Sequence, residues 1–175
     1  YHSVVGGDGV DGHGHGTHVS ATAVSARYGV APGADLYSCQ ALAANGTGDD
    51  STVIACINWC VEQIAQAHKL GAINMSLGGP VSVALDRAVC DAVAQGVAVV
   101  VAAGNSANSA CDGSPSRVDL AYTIGATQEP IQRADGSWFE ARAEFSDTGV
   151  CVDLLAPGKG ILSARKGDTT DSNPL

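Results

Sequence analysis

The run Val97-Ala98-Val99-Val100-Val101-Ala102-Ala103 carries no polar side chain and stands between Gly96 and Gly104. A short β-branched segment that is apolar at every position is expected to be a strand buried on both faces, the condition of a strand in a parallel sheet covered by helices. Other strands are expected at 34–42, entered through Ala31-Pro32-Gly33, and at 72–76, 120–126 and 151–155. Between them, Val53, Ile54, Ile57, Cys60, Val61, Ile64 and Ala67 fall near helical spacing. They predict a helix capped by Ser51 or Thr52, running to about His68 and ended by Gly71. Ser82 is expected to cap a second helix that runs to Gln95 and stops at Gly96. Strands alternating with helices imply right-handed crossovers, and so an α/β fold with a doubly wound, mainly parallel sheet flanked by helices. At 175 residues and 45% hydrophobic content, one domain with a sizeable core is expected. Gln128 to Glu140, with Pro130, Asp135 and Gly136, reads as an exposed loop.

In such sheets the working loops lie beyond the carboxyl ends of the strands. Two glycine-rich turns are expected there: Ser76-Leu77-Gly78-Gly79, and Gly104-Asn105-Ser106, which presents a carboxamide able to donate to a developing oxyanion. A turn-forming asparagine reads the same way in sequence. Ahead of both stands Asp11-Gly12-His13-Gly14-His15-Gly16-Thr17-His18-Val19, followed by the small-residue, helix-forming run Thr17 to Ala26. Glycines on either side of His15 clear room for a second chain, and an imidazole at a helix start is suited to moving a proton near neutral pH. A phosphate-cradling turn and a zinc site at His13, His15 and His18 are the competing readings. The first lacks the glycine spacing and acidic follow-up of a dinucleotide site, and the second lacks an HExxH or Cys-x-x-Cys partner.

The formal charge of -9 repels nucleic acid and anionic membranes, and suits a neutral or cationic partner. No apolar run approaches the roughly 18 residues of a membrane span. The six cysteines, at positions 39, 56, 60, 90, 111 and 151, lack paired Cys-x-x-Cys spacing and do not read as zinc ligands. Their pairing is open in the sequence, and oxidising surroundings are plausible.

The Asp-Gly-x-Gly-His-Gly-Thr-His-Val stretch resembles the histidine motif of the subtilisin-like serine proteases, in particular their proteinase K and aqualysin branch. Four further stretches resemble that family in the same order: Asn45-Gly46-Thr47-Gly48, Ser76-Leu77-Gly78-Gly79, Ala102-Ala103-Gly104-Asn105, and Phe145-Ser146-Asp147-Thr148-Gly149 with Asp153-Leu154-Leu155-Ala156-Pro157-Gly158. The family's Phe-Ser-Asn-x-Gly has asparagine where this chain has Asp147. The resemblance implies a serine endopeptidase acting on polypeptides, with His15 as general base and Asn105 as oxyanion donor. It implies that Gly46, Thr47 and Gly48 on one side, and Ser76, Leu77 and Gly78 on the other, pair with extended substrate, with Ala103 and Gly104 walling the primary pocket. With Gly113 where proteinase K has a tyrosine, large apolar side chains are expected before the cleaved bond. Asp49 and Asp50, where relatives carry neutral or aromatic residues, are expected to favour a basic side chain four residues before it, unless they face solvent or cap the following helix.

The same resemblance implies a Cys111–Cys151 disulfide, and absence of the branch's other bridge because Gly12 and Ala44 occupy its positions. Cys60 with Cys90 is expected as a second pair, and Cys39 and Cys56 as buried thiols. A structural calcium ion is implied at Asp153 with backbone carbonyls near Asp119 and Ala121. A secreted monomer, made with an N-terminal propeptide, is the expected form. The family's triad aspartate strand and its Gly-Thr-Ser-Met-Ala nucleophile motif do not occur in residues 1–175. The chain is therefore expected to be a partial peptidase catalytic domain, inactive alone. A noncatalytic peptide-binding pseudoenzyme is the alternative.

Overall fold

The computed structural model describes residues 1–6, 10–167 and the backbone of 172–174. In chain order the elements are β1 (His2–Ser3), α1 (His15–Val24), β2 (Cys39–Gln40), α2 (Asp50–Ala67), β3 (Ala72–Met75), β4 (Gly79–Pro80), α3 (Val83–Ala94) and β5 (Ala98–Ala102). They continue through β6 (Gly113–Ser114), β7 (Tyr122–Thr127), β8 (Ile131–Gln132), β9 (Trp138–Phe139), β10 (Leu154–Pro157), β11 (Leu162–Ala164) and β12 (Ser172–Pro174). They form two compact units, one of residues 1–69 with 162–175, the other of residues 70–161.

The second unit is built on a parallel four-stranded sheet in the order β10-β7-β5-β3. Helix α3 supplies the crossover between β3 and β5, and begins as expected: Ser82 Oγ accepts the Leu85 N–H at 3.3 Å. Its Leu85, Val89 and Ala92 recur at helical spacing and are buried. Met75, Val99 and Val101 supply sheet side chains of the same core. The central strand is not buried on both faces: Val99 and Val101 are buried, while Val100 and Ala102 are only half-buried and Ala98 is exposed. Its uniform apolarity therefore overstated its burial. The last of the expected strands, β10, starts at Leu154, three residues later than the sequence suggests, because Val150 and Cys151 form a turn. Residues 128–140 are not an irregular loop; β8 and β9 pair antiparallel, closed by an Arg133–Gly136 turn, with most side chains exposed.

In the first unit, β1 and β2 make a parallel pair only two residues long. The strand expected over 34–42 shrinks to Cys39–Gln40 because its partner among the described residues is just as short, and Leu36 and Tyr37 lie exposed. Helix α2 begins at Asp50, one residue ahead of Ser51 and two ahead of Thr52, so neither is its cap. Asp49 holds the cap position without a side-chain bond, and the Thr52 hydroxyl donates instead to the Ala41 carbonyl at 2.8 Å. The helix ends at His68, in the left-handed region at φ 51°, before Gly71 is reached.

Two disulfides form, one per unit. Cys111–Cys151 spans Cα atoms 5.5 Å apart, as expected. The other expectation is corrected: Cys39 and Cys56 are bonded, with Cα atoms 5.6 Å apart, and Cys60 and Cys90 are the free thiols among the described residues. Packing of α2 on β2 brings the buried Cys56 to Cys39, and periodicity along α2 alone does not reveal which strand its face meets. Burial pushes the Cys60 thiol up, which keeps it protonated and poorly reactive.

Candidate active site

Helix α1 spans His15–Val24, opening two residues ahead of the run expected over Thr17 to Ala26 and ending two residues short of it. Its first turn is held by Asp11, which lies ahead of the helix. The Gly14 N–H (2.7 Å) and the His13 N–H (2.9 Å) donate to Asp11 Oδ1, and the Thr17 N–H (2.8 Å) and Thr17 hydroxyl (2.7 Å) donate to Oδ2. Partial burial pushes the pKa of this carboxyl up, but the donors from Gly14, Thr17 and His13 outweigh it and hold the pKa down at about 2. The carboxylate is thus ionised throughout the neutral range, and its charge also complements the positive end of α1. His15 is half-buried; its N–H donates to His13 Nδ1 at 3.3 Å, and the two rings stand edge to face with centroids 6.3 Å apart.

The same unit brings the 45–48 loop against this turn. Gly46 has φ +80°, and a Cβ there would lie 3.0 Å from His13 Nε2. A side chain at 46 would therefore meet both backbone strain and the imidazole. The loop is closed by the Ala43 N–H donating to the Thr47 carbonyl at 2.8 Å, and Asn45 Oδ1 accepts from the Thr47 N–H and hydroxyl. Positions 12 and 44 also meet, since a Cβ at Gly12 would stand 2.6 Å from the Ala44 Cβ. Val5, Ala43, Thr47, Gly48, Asp49 and Thr52 line an open cleft of about 290 Å³. From the far end of the sequence, buried Ser163 on β11 donates to the His18 carbonyl at 2.8 Å and accepts from the Thr22 hydroxyl, while Lys166 Nζ donates to the Gly12 carbonyl. The acid ahead of a helical run is a sequence signal for Asp11's role. No local signal marks Ser163, which meets the helix at separations of 141 and 145 residues, or Lys166, which meets Gly12 at a separation of 154.

In the second unit the β3–β5 register pairs Met75 with Val101, so Ser76-Leu77-Gly78 and Ala103-Gly104-Asn105 leave the carboxyl ends of adjacent strands. Asn105 is exposed, Ala103 is buried, and Ser76 and Leu77 are half-buried. The β4–β6 pairing sets Gly79 opposite Ser114 at the margin of this edge. Asp153 is held by β7: its Oδ2 accepts the Thr123 N–H at 2.8 Å and its own N–H donates to the Thr123 carbonyl at 2.9 Å, two residues beyond Ala121. Among the described residues no three His, Cys, Asp or Glu side chains form a group able to hold a metal ion. The triple-histidine zinc reading therefore finds no geometry to support it.

A sequence profile of the Subtilase family matches residues 5–174. The chain belongs to the subtilase family. It is 46% identical over 171 residues to an extracellular serine proteinase of Thermus sp. (strain Rt41A), covering 97% of this chain and 38% of that protein. It is 41% identical over 168 residues to subtilisin-like protease 1 of Trichophyton equinum, covering 95% of this chain and 31% of that one. A crystal structure of a cold-adapted subtilisin-like serine proteinase superposes with a TM-score of 0.80 at 38% identity, over 95% of this chain and 57% of that chain. The subtilase chain described here thus spans 31% to 38% of these two curated relatives and 57% of the solved one. The fold class expected from the sequence holds across that span.

Proposed function

We propose that this subtilase chain is part of a secreted serine endopeptidase in which His15 is the general base and Asn105 donates to the oxyanion. The triad aspartate and the nucleophilic serine are contributed by sequence outside residues 1–175. The observation that supports the reading is the seating of Gly46, in the 45–48 loop, against the imidazole of His13, two residues from the proposed base. Gly46, Thr47 and Gly48 form one edge for an extended peptide, Ser76, Leu77 and Gly78 the other, and Ala103 and Gly104 wall a pocket for a large apolar side chain before the scissile bond. An N-terminal propeptide and a monomeric mature enzyme complete the proposal. Calcium fits the donor set of Asp153 with the carbonyls of Asp119 and Ala121, because one carboxylate among carbonyl oxygens suits a hard cation, and the ion's chemistry there is structural. Chelation is expected to lower the thermal midpoint of the full-length protein, and an unchanged midpoint removes the site.

Asp49 carries the proposal on to specificity. It lines the cleft between the 43–48 loop and α2, it is exposed, and it spends no side-chain bond on capping the helix. The experiment is a peptide panel on the full-length protein, with an apolar residue before the cleaved bond and Lys, Arg, Leu or Ala at the fourth position before it. Cleavage after the apolar residue is expected. The basic peptides are expected to have a several-fold higher kcat/KM in low salt that fades as salt is raised, since exposed ion pairs contribute only about 0.2–1 kcal/mol. No cleavage of any peptide overturns the enzyme assignment, whereas cleavage without a basic preference overturns only the role of Asp49.

A further inference from the structure

We infer that Asp147 is a positioning residue for the oxyanion loop, setting the backbone on both sides of Asn105. The inference rests on the reading of Asn105 as oxyanion donor, and its physical basis is the environment of the carboxylate. Asp147 is only 8% exposed. Its Oδ1 accepts the Ser106 N–H at 2.8 Å and the Asn108 N–H at 3.0 Å, and its own N–H donates to the Gly104 carbonyl at 2.9 Å. One residue thus binds the residue before Asn105, the residue after it, and the third one along.

The neighbours of Asp147 hold the rest of the loop. Gly104 sits at φ +116°, and a Cβ there would lie 2.1 Å from Asp147 Oδ2, so the carboxylate packs directly on the bare backbone. Ala107 is also in the left-handed region at φ 54°, uncommon for a residue with a side chain, and is held by its N–H donating to the Phe145 carbonyl at 2.8 Å. The Thr148 N–H donates to the Asn108 carbonyl at 2.8 Å. Residues 145–148 therefore form a brace along which the loop is laid, and Asp147 is the member whose side chain reaches the turn itself. A carboxylate accepting two backbone N–H groups makes shorter and stronger bonds than a neutral amide. Oxyanion stabilisation depends on donor placement within tenths of an ångström, so releasing the brace should show in the chemical step more than in binding.

The test is a double-substitution cycle in the full-length enzyme, with kcat and KM read separately. Asp147→Ala is expected to lower kcat by roughly ten- to a hundred-fold, as misplacement of about 1 Å does, with KM changed less than about two-fold. Asp147→Asn keeps one side-chain carbonyl for both N–H donors and is expected to restore kcat to within a few-fold. Asn105→Ala alone should cost about a hundred- to a thousand-fold in kcat. In the Asn105→Ala background, Asp147→Ala should cost nothing further, because the donor it places is gone. Asp147→Ser, whose short hydroxyl cannot bridge both N–H groups, replaces the alanine variant if that one does not fold. An additive loss in the Asn105→Ala background, a loss carried by KM, or a failure of Asp147→Asn to rescue overturns the positioning role. An Asn105→Ala enzyme with normal kcat overturns the oxyanion reading itself, and is distinguished by that single variant.

Discussion

Replacing His15 with alanine in the full-length protein is expected, on its proposed role as general base, to lower kcat by about 10⁴- to 10⁶-fold with KM nearly unchanged, the size of effect that loss of a triad member has. The effect is expected in chemistry more than in folding because the turn around His15 is held by hydrogen bonds from other residues. The first turn of α1 is held by Asp11 through four hydrogen bonds from His13, Gly14 and Thr17, and the body of the helix by Ser163 and Thr22. His15 contributes its backbone to that turn, and alanine keeps the backbone. Circular dichroism and the thermal midpoint should therefore match the parent while turnover collapses. Turnover within ten-fold of the parent, with the fold intact, would sink the assignment of His15 as base.

Removing the Cys111–Cys151 bridge, as the double alanine variant of the full-length protein, should cost about 4 kcal/mol, and removing Cys39–Cys56 about 3 kcal/mol. The two figures follow from the loops closed, 40 and 17 residues, through the entropy each crosslink denies the unfolded chain. The larger bridge also ties the short helical turn at Ala110–Asp112, which follows the 104–108 loop, to the turn that precedes β10. Denaturant unfolding of the two variants side by side checks the order. A Cys39–Cys56 loss larger than the Cys111–Cys151 loss would show that loop entropy does not govern these crosslinks. Thiol titration of the unreduced parent provides the accompanying check on pairing: Cys60 and Cys90 are expected to be the residues alkylated after unfolding, and modification of Cys39 or Cys56 would contradict the observed bond.

The legible parts of this protein were those encoded within a few residues. Ser82 three residues ahead of Leu85 announces the start of α3, and the spacing of Leu85, Val89 and Ala92 announces its buried face. Apolar runs ending in glycine-rich turns located the carboxyl edge of the sheet, and hence the stretches Ser76–Gly78 and Ala103–Asn105. The His15 motif was readable for the same reason, because its glycines, its acid and its helix lie within one turn of each other.

The sequence by itself determined the α/β alternation, the helix at His15 and the family to which the chain belongs, since these rest on periodicity and on motifs that are local. Only the tertiary structure decided that Cys39 bonds Cys56, because a disulfide depends on which strand a helix face meets across 17 residues of chain. It also decided that the strand over 34–42 lasts two residues, since a strand extends only as far as its partner. The Asp147 brace was of the same kind. Its carboxylate meets the Gly104–Asn108 loop about 40 residues away, and a contact so distant leaves no pattern in the intervening sequence, because chain folding sets its distance rather than chain spacing.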